Sequence, residues 1–178
     1  MSPFDSVVCP SDALIVLDID DTLITFPAIR ASWWKNRFDE LYLANNNNYD
    51  IADEALLTEW ESYVSNNESQ VQLTDEPGLR RFFERNTGCI VLVTARRPHL
   101  AKATTRHLAA CGLMFDDNNI FHVGNADKGE AILSILQQHR FCAVRDVVFV
   151  DDQMQNIKDV RAAFVDHPEY RTHLYHYM

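Results

Sequence analysis

The sequence has few of the features that mark a nucleic-acid-binding or membrane protein. Its 178 residues include 16 basic and 26 acidic side chains, a formal charge of -10, so no basic stripe can neutralise a nucleic-acid backbone. No apolar run approaches the ~20 residues that span a bilayer, and the N-terminus lacks a basic segment followed by a long apolar core. These absences predict a soluble chain without nucleic-acid or membrane partners.

Cysteine is also scarce and scattered. The four thiols form no Cys-x-x-Cys pair and no His/Cys cluster at zinc spacing. We expect the chain to work in a reduced, cytoplasmic compartment. Export by a route that needs no cleaved signal peptide is an alternative that the sequence leaves open. Cys89 opens a predicted strand and Cys111 lies late on a predicted helix, so we expect both to be small buried side chains.

The sequence does contain an apolar run that ends in acids. Residues 14–17 predict a buried parallel strand, and Asp18, Asp20, Asp21 and Thr22 follow it. Ligands of open α/β sheets bind beyond the carboxyl ends of the strands, so a site is expected here. Two acids at this spacing can reach one phosphate-sized centre, one as nucleophile and the other as proton carrier. The alternative is a polar turn with an Asx cap.

Other predicted strands also end in polar residues. Asp151 and Asp152 follow the apolar run 147–150, and Lys128 opens a helix after the short strand 120–123. A cation in the first turn of a helix is disfavoured by the helix dipole. Its presence at position 128 indicates that Lys128 has a functional role, the alternative being an ordinary solvated lysine. We therefore expect Lys128→Ala to lower activity with little loss of stability. The strand 89–93 is followed by Thr94, Ala95, Arg96 and Arg97.

Strands that alternate with helices predict a Rossmann-like α/β fold, a parallel sheet with helices on both faces and right-handed crossovers. Residues 1–25 and 75–178 are expected to form this core domain. Residues 26–74 are rich in aromatic side chains and contain four asparagines at 45–48, which predicts a small, mainly helical cap inserted into the core. We expect most of its aromatic rings to form the cap's own small core.

The polar strand ends are expected to meet at one edge of the sheet. Converging carboxylates repel one another unless a cation joins them, and hard oxygen ligands without histidine or thiolate suit Mg²⁺. A phosphoryl group calls for a metal, an ammonium and hydrogen-bond donors around it. Lys128 supplies the ammonium, and Thr94 supplies a hydrogen-bond donor.

Together these residues resemble the four motifs of the haloacid dehalogenase-like superfamily of aspartate-nucleophile phosphohydrolases, over most of the chain outside 26–74. The resemblance implies a Mg²⁺-dependent phosphomonoester hydrolase that works through an aspartyl-phosphate. It makes Asp18 the nucleophile, and Asp20 the group that protonates the leaving oxygen and then activates water. It assigns the phosphate to Thr94 and Lys128.

The same resemblance implies a metal site. Asp152 matches the principal acidic ligand of the fourth motif and Asp151 stands beside it, while Asp18 and the backbone carbonyl of Asp20 would complete the set. Asn156 stands where many members of the superfamily carry a second acid, so it is expected to orient the site rather than to bind metal.

Two expectations concern the substrate. Arg96 either touches substrate or closes a surface ion pair. The short cap leaves a site that a protein surface could approach, and Phe26, Trp33 or Trp34 could stack on a phenyl ring, so phosphotyrosine on a protein or peptide is favoured. The alternative is a sugar or nucleotide phosphate.

Other functions fit the sequence less well. A signalling receiver domain would carry its phosphoacceptor aspartate after the third strand, where Val123 and Gly124 stand. An inactive binding module would not need the motif residues, all of which are present. Dehalogenation of a carbon centre would not need Asp20, because a leaving halide takes no proton.

Overall fold

The computed structural model describes residues 2–178, and these form seven β-strands and six α-helices. The strands are β1 (Leu14–Leu17), β2 (Ile24–Thr25), β3 (Gln72–Leu73), β4 (Cys89–Thr94), β5 (Ile120–His122), β6 (Asp146–Asp151) and β7 (Arg171–His176). The helices are α1 (Ala31–Ala44), α2 (Tyr49–Asn66), α3 (Glu76–Arg85), α4 (Ala101–Ala110), α5 (Lys128–Leu136) and α6 (Met154–Ala163).

Five strands form one parallel sheet in the order β5-β4-β1-β6-β7. The central strand β1 pairs with β4 on one side and β6 on the other, so that Val16 lies between Val91 and Phe149. The chain builds the sheet outwards from β1 through β4 to β5, then returns to the far side of β1 for β6 and β7. The predicted parallel α/β fold is confirmed, and the reversal of strand order places a crevice at the carboxyl end of β1.

Helices cover both faces of this sheet because β1 is apolar on both. Ile15 and Leu17 belong to a cluster that includes Phe82 of α3 and Leu108 of α4. Leu14 and Val16 face the opposite side, where α5 and α6 supply the apolar partners. A strand buried on both faces has no solvent-facing alternation, which explains the continuous apolar run in the sequence. The sheet is therefore the middle layer of three.

Two helices follow β2 and pack against each other. The loop between them contains Asn46 and Asn47, with φ angles of 53° and 59°, a left-handed conformation that asparagine tolerates better than most residues. Asn48 then caps α2 by accepting a hydrogen bond from the Ile51 amide at 3.2 Å. The asparagine run thus both turns the chain and starts the second helix. A small apolar cluster that includes Phe26 and Val64 lies beneath the pair.

The segment that carries α1 and α2 is joined to the sheet at two places. Its two ends pair as the short antiparallel strands β2 and β3, and the Thr74 hydroxyl donates to the Thr22 carbonyl at 2.6 Å. Farther out, Arg97 makes two hydrogen bonds to Glu54 of α2, at 2.8 and 2.6 Å. The β2/β3 pair was not predicted, because two-residue strands carry no recognisable periodicity.

The four cysteines are unpaired, and the expected burial of Cys89 is wrong. Cys89 is the first residue of β4, where the sheet begins and the covering layers do not reach, so its side chain is exposed. Cys111 is half-buried behind α4. Among residues 2–178 no helix combines the length and apolar character needed to cross a membrane.

Candidate active site

Asp18 lies immediately after β1, and both of its carboxylate oxygens are held by hydrogen bonds. Oδ1 accepts from the Lys128 ammonium at 2.5 Å, and Oδ2 accepts from the Thr22 hydroxyl at 3.0 Å. The Thr22 oxygen in turn accepts from the backbone amide of Asp152 at 3.0 Å. Thr22 therefore ties the end of β1 to the end of β6, a role that its place in the sequence pattern did not reveal.

A tight turn separates the first acids from β2. Asp21 has a φ of 57°, a left-handed conformation that aspartate tolerates because its carboxylate can bond locally. Its amide donates to the Ile24 carbonyl at 2.8 Å, and its Oδ1 accepts from the Thr25 hydroxyl at 2.5 Å. The chain thus reverses just after Asp20, which leaves that side chain at the edge of the sheet.

Lys128 points into the site from the first turn of α5. The helix begins with the Asp127 carboxylate accepting from the Glu130 amide at 3.0 Å, as the sequence spacing predicts. Lys128 itself is only 4% exposed, and its Nζ lies 2.5 Å from Asp18 and 2.7 Å from Asp151. Burial alone would lower the pKa of Lys128, but the charges of the two aspartates raise it above its ordinary value. An ordinary solvated lysine is excluded.

The two acids after β6 have different surroundings. Asp151 is fully buried, and its oxygens accept from Lys128, from the Gln153 amide at 2.8 Å and from the Asn156 side chain at 3.0 Å. Asp152 is partly exposed, and its carboxylate accepts from the Gln153 side chain at 3.2 Å. Asn156 thus orients Asp151, as expected, while Asp152 keeps most of its acceptor capacity for another ligand.

Three carboxylates lie close together here, and Lys128 pairs with two of them. One oxygen each of Asp18, Asp151 and Asp152 lie within 4.8 Å of one another. Burial raises the pKa of Asp18, with Lys128 opposing and Asp151 adding to the effect. Burial, with the charges of Asp151 and Asp21, raises the pKa of Asp152 to about 7. A group of hard oxygen donors with excess negative charge fits a divalent cation of the Mg²⁺ type.

The two predicted site residues at the end of β4 are both buried. Thr94 is fully buried and its hydroxyl accepts from the Arg96 amide at 3.1 Å. Arg96 is also fully buried, so it does not close a surface ion pair. Its Nε and Nη2 donate to the two oxygens of Asp20 at 2.8 and 2.7 Å. Its guanidinium is thus directed at Asp20, while its predicted contact with substrate stays a prediction.

The acids open into a cavity of about 210 Å³. Its polar lining includes Asp18, Asp20, Arg96, Lys128 and Asp152. Its apolar lining is formed by Phe26, Ile29, Trp34, Leu57, Trp60 and Ala95. The structure therefore brings most of the predicted site residues to the wall of one cavity, together with rings from the segment 26–74.

Some predicted residues do not reach this cavity. Among residues 2–178, the cavity lining does not include Thr94, Asp151 or Trp33. The Trp33 ring instead packs edge-on against Trp34, with 5.3 Å between the ring centres. Trp60 does line it, although the sequence indicated only a structural ring there. Leu57 and Trp60 lie three residues apart on one face of α2, a spacing that identifies the face but not what it covers.

A broader surface groove of about 830 Å³ adjoins the cavity and shares Asp21, Thr25 and Ile29 with it. The groove continues along the start of α1 and past Arg30 and Tyr177. The enclosed cavity therefore lies beside an open surface.

Comparison with known proteins places the fold. A sequence profile of the family described as a protein of unknown function, DUF2608, matches residues 5–123. No curated protein matches the sequence. The matched range contains Asp18, Asp20 and Arg96 and ends before Lys128 and the acids of β6.

Solved structures resemble the chain over most of its length. The HAD domain of the effector protein Lem4 from Legionella pneumophila is 14% identical, with a TM-score of 0.51 over 93% of this chain and 85% of that one. A haloacid dehalogenase-like protein of unknown function from Agrobacterium tumefaciens is 17% identical, with a TM-score of 0.54 over 90% and 81%. The class C acid phosphatase from Bacillus anthracis is 14% identical, with a TM-score of 0.53 over 98% and 72%. The predicted haloacid dehalogenase-like fold is confirmed.

Proposed function

We propose that this chain, which belongs to the DUF2608 family of proteins of unknown function, is a Mg²⁺-dependent phosphomonoester hydrolase that works through an aspartyl-phosphate. One observation carries the proposal: Asp18 sits at the carboxyl end of the central strand with one oxygen on a buried lysine and the other on Thr22. A carboxylate placed at the wall of a cavity and fixed at both oxygens is suited to nucleophilic attack. The Bacillus anthracis acid phosphatase with the same fold supports the reaction class.

The proposed reaction has two steps. An Asp18 oxygen attacks the phosphorus, the ester P–O bond breaks, and the leaving oxygen takes a proton from Asp20. Asp20 then accepts a proton from water, whose oxygen attacks the phosphorus of the aspartyl-phosphate. Inorganic phosphate leaves and Asp18 is restored as a carboxylate. Lys128 lies beside Asp18 and supplies positive charge where phosphoryl oxygens would accumulate negative charge.

Asp18 and Asp152 would hold the metal, with the backbone carbonyl of Asp20, while Asp151 is largely occupied by Lys128 and Asn156. A bound Mg²⁺ supplies Lewis acidity and neutralises phosphoryl charge. Thr94 remains a proposed phosphate ligand because it ends β4 directly before the lining residues Ala95 and Arg96, although its side chain is buried outside that lining.

Within this function we propose phosphotyrosine on a protein or peptide as the substrate. Trp34 and Trp60 line the same cavity as the acids, so a ring attached to the phosphate would lie against them. Such ring contacts contribute about 0.5–1.5 kcal/mol beyond area burial, which a serine phosphate cannot gain. The adjoining groove would accept the residues that flank the phosphotyrosine.

A small metabolite is the second candidate, and one observation favours it. Ile29, Trp34, Leu57 and Trp60 come from the segment 26–74 and form a wall over the acids, so this segment covers the site more than its short length suggests. We propose residues 26–74 as the cap and the remainder as the core domain. A cap that closes over a sugar or nucleotide phosphate would use the same wall.

The test is hydrolysis by the full chain of matched phosphotyrosine and phosphoserine peptides and of a panel of sugar and nucleotide phosphates, with Mg²⁺ and with excess chelator. We expect Mg²⁺-dependent turnover and a preference for phosphotyrosine of about tenfold or more in kcat/KM. Asp18→Asn, which is nearly isosteric, should abolish turnover and keep the fold. Full activity in that variant or in chelator would contradict the mechanism, and a hundredfold preference for a metabolite would contradict the phosphotyrosine assignment.

A further inference from the structure

Arg96 is a fully buried charge whose donors are divided between two sides. Nε and Nη2 hold the two oxygens of Asp20 at 2.8 and 2.7 Å. Nη1 lies 2.8 Å from Nδ1 of His107 and 3.2 Å from the hydroxyl of Thr104, both on α4. The guanidinium is therefore a rigid link between a side chain of the cavity and the helix behind it.

The α4 side of this link is itself fixed. The Thr104 hydroxyl donates to the Leu100 carbonyl at 3.0 Å, and so its lone pairs are left to accept from Arg96 and from His122, whose Nε2 lies 3.2 Å away. His107 is fully buried and must be neutral to accept at Nδ1, which agrees with a pKa lowered to about 4 by burial and by the charge of Arg96. Its Nε2 faces the Val64 backbone but makes no hydrogen bond of good geometry.

Nδ1 of His107 lies within hydrogen-bond distance of Nη1, and this contact fixes the orientation of the guanidinium. The Asp20 side chain, by contrast, is 30% exposed and would rotate freely without Arg96.

We propose that Arg96 is a positioning residue that holds the Asp20 carboxylate in place for proton transfer, braced from behind by His107 and Thr104. This inference rests on the proposed phosphohydrolase function. Each Asp20 oxygen uses one lone pair for Arg96 and keeps a second lone pair for the proton that it carries. Proton transfer demands a fixed distance to the leaving oxygen, so a loosened Asp20 would lose rate without loss of substrate binding.

The experiment compares two aryl phosphates of nearly equal size. The leaving group of p-nitrophenyl phosphate departs readily without a proton, whereas that of phenyl phosphate depends on one. The variants are Arg96→Lys, Arg96→Gln, Asp20→Asn and the double variant Asp20→Asn with Arg96→Gln. Arg97→Lys is the matched control, because Arg97 is the next residue but pairs with Glu54 of α2.

We expect both Arg96 variants to slow the first-turnover release of phenol from phenyl phosphate by about a hundredfold, with much smaller losses on p-nitrophenyl phosphate. The first turnover is measured because it reports departure of the leaving group apart from the later attack of water, in which Asp20 also acts. Asp20→Asn should show the same pattern, and adding Arg96→Gln to it should cause little further loss, because Arg96 acts through Asp20. Arg97→Lys should leave the ratio of the two rates at the wild-type value.

Equal first-turnover losses on both substrates, a loss that saturating substrate removes, or fully additive losses in the double variant would overturn the proposal. Circular dichroism and thermal unfolding establish whether each variant folds. If neither Arg96 variant folds, Arg96 is needed for the fold and the proposal is also overturned. A wild-type chain that hydrolyses neither substrate would instead refute the proposed function itself, so the two failures are distinguishable.

Discussion

At the level of single residues, the site contains more carboxylates than positively charged side chains. Lys128 faces Asp18 and Asp151, and Asp152 stands close by with its pKa raised to about 7. Breaking a buried ion pair by removing one partner is strongly destabilising because it leaves an uncompensated buried charge. The lysine therefore has a structural task as well as the proposed catalytic one, and the expectation that its loss would leave stability unchanged is not supported by its surroundings.

We expect Lys128→Met to lower the free energy of unfolding in chelator by about 3–5 kcal/mol, because Asp18 and Asp151 would lose their cation. Added Mg²⁺ should restore part of this loss by supplying positive charge to the same carboxylates, while activity should stay lower by orders of magnitude. Urea unfolding with and without Mg²⁺ measures both effects. The exposed Lys158→Met is the matched control, and an equal stability for the two variants would contradict the prediction.

His107 gives a pH-dependent prediction. Its pKa is lowered from 6.5 to about 4, first by burial and then by Arg96, so the unfolded chain binds a proton at a higher pH than the folded chain does. Its contribution is complete above pH 6.5 and is lost as the pH falls through 4.

In His107→Gln, whose amide oxygen can still accept from Arg96, we expect roughly 2–4 kcal/mol less loss of stability between pH 7 and pH 4 than in the wild type. Urea unfolding in metal-free buffer at several pH values provides the comparison. The exposed His139→Gln should behave as the wild type. Parallel pH curves for wild type and His107→Gln would refute the assignment.

At the level of elements, α2 does more than the sequence indicated. Its Glu54 and Glu61 both pair with Arg97, and Leu57 and Trp60 line the cavity. Because residues three, four and seven positions apart share a helix face, one continuous face of α2 both docks on the sheet domain and walls the cavity. Exposed ion pairs of this kind contribute only about 0–1 kcal/mol each, so the apolar cluster around Phe26 and Val64 is the main support of this arrangement.

The wall predicts an effect specific to aromatic substrates. We expect Trp60→Ala to lower kcat/KM on a phosphotyrosine peptide by up to about tenfold and to leave the phosphoserine value nearly unchanged, because phosphoserine has no ring that could lose a contact. Tyr42→Leu, on α1 and outside the cavity lining, is the control. Equal losses on the two peptides would mean that Trp60 supports the fold of the segment and does not contact the ring.

The elements themselves were largely predictable from the sequence. Apolar runs located β1, β4, β5 and β6 to within a residue or two, because strands buried on both faces carry a continuous signal. The helix ends also carry local signals, since Asp127 caps the start of α5 and Gly112 follows α4 with a φ of 76°. These signals depend only on residues that are close together in the sequence, so they can be recognised without knowledge of the fold.

Tertiary neighbours were not predictable in the same way. Arg96 is buried because α4 brings His107 and Thr104 behind it, and neither residue carried a signal in the sequence that linked it to Asp20. Trp60 reaches the cavity only because α2 lies across the carboxyl edge of the sheet. The strand ends therefore predicted which residues lie together at the site. The neighbouring side chains that orient them could be identified only from the structure.

At the level of the whole molecule, the fold gathers its polar strand ends around β1. A cation that binds the folded chain and not the unfolded one stabilises it by mass action. We expect Mg²⁺ to raise the melting temperature of the full chain in a concentration-dependent way, and Asp152→Asn to abolish most of that increase. Asp166→Asn, an exposed acid beyond α6, is the control and should respond as the wild type does. An unchanged melting temperature in Mg²⁺ would contradict the proposed metal site.

The most direct test of the proposed chemistry is to trap the phosphorylated enzyme. Asp20→Asn should slow the attack of water, so that an aspartyl-phosphate accumulates during reaction with p-nitrophenyl phosphate and Mg²⁺. Borohydride reduces an aspartyl-phosphate to homoserine, and peptide mass spectrometry then locates it. We predict homoserine at position 18 alone, and none when Asp18→Asn is added. Turnover by the wild type with no homoserine at position 18, or with homoserine at another aspartate, would contradict the assignment of Asp18 as the nucleophile.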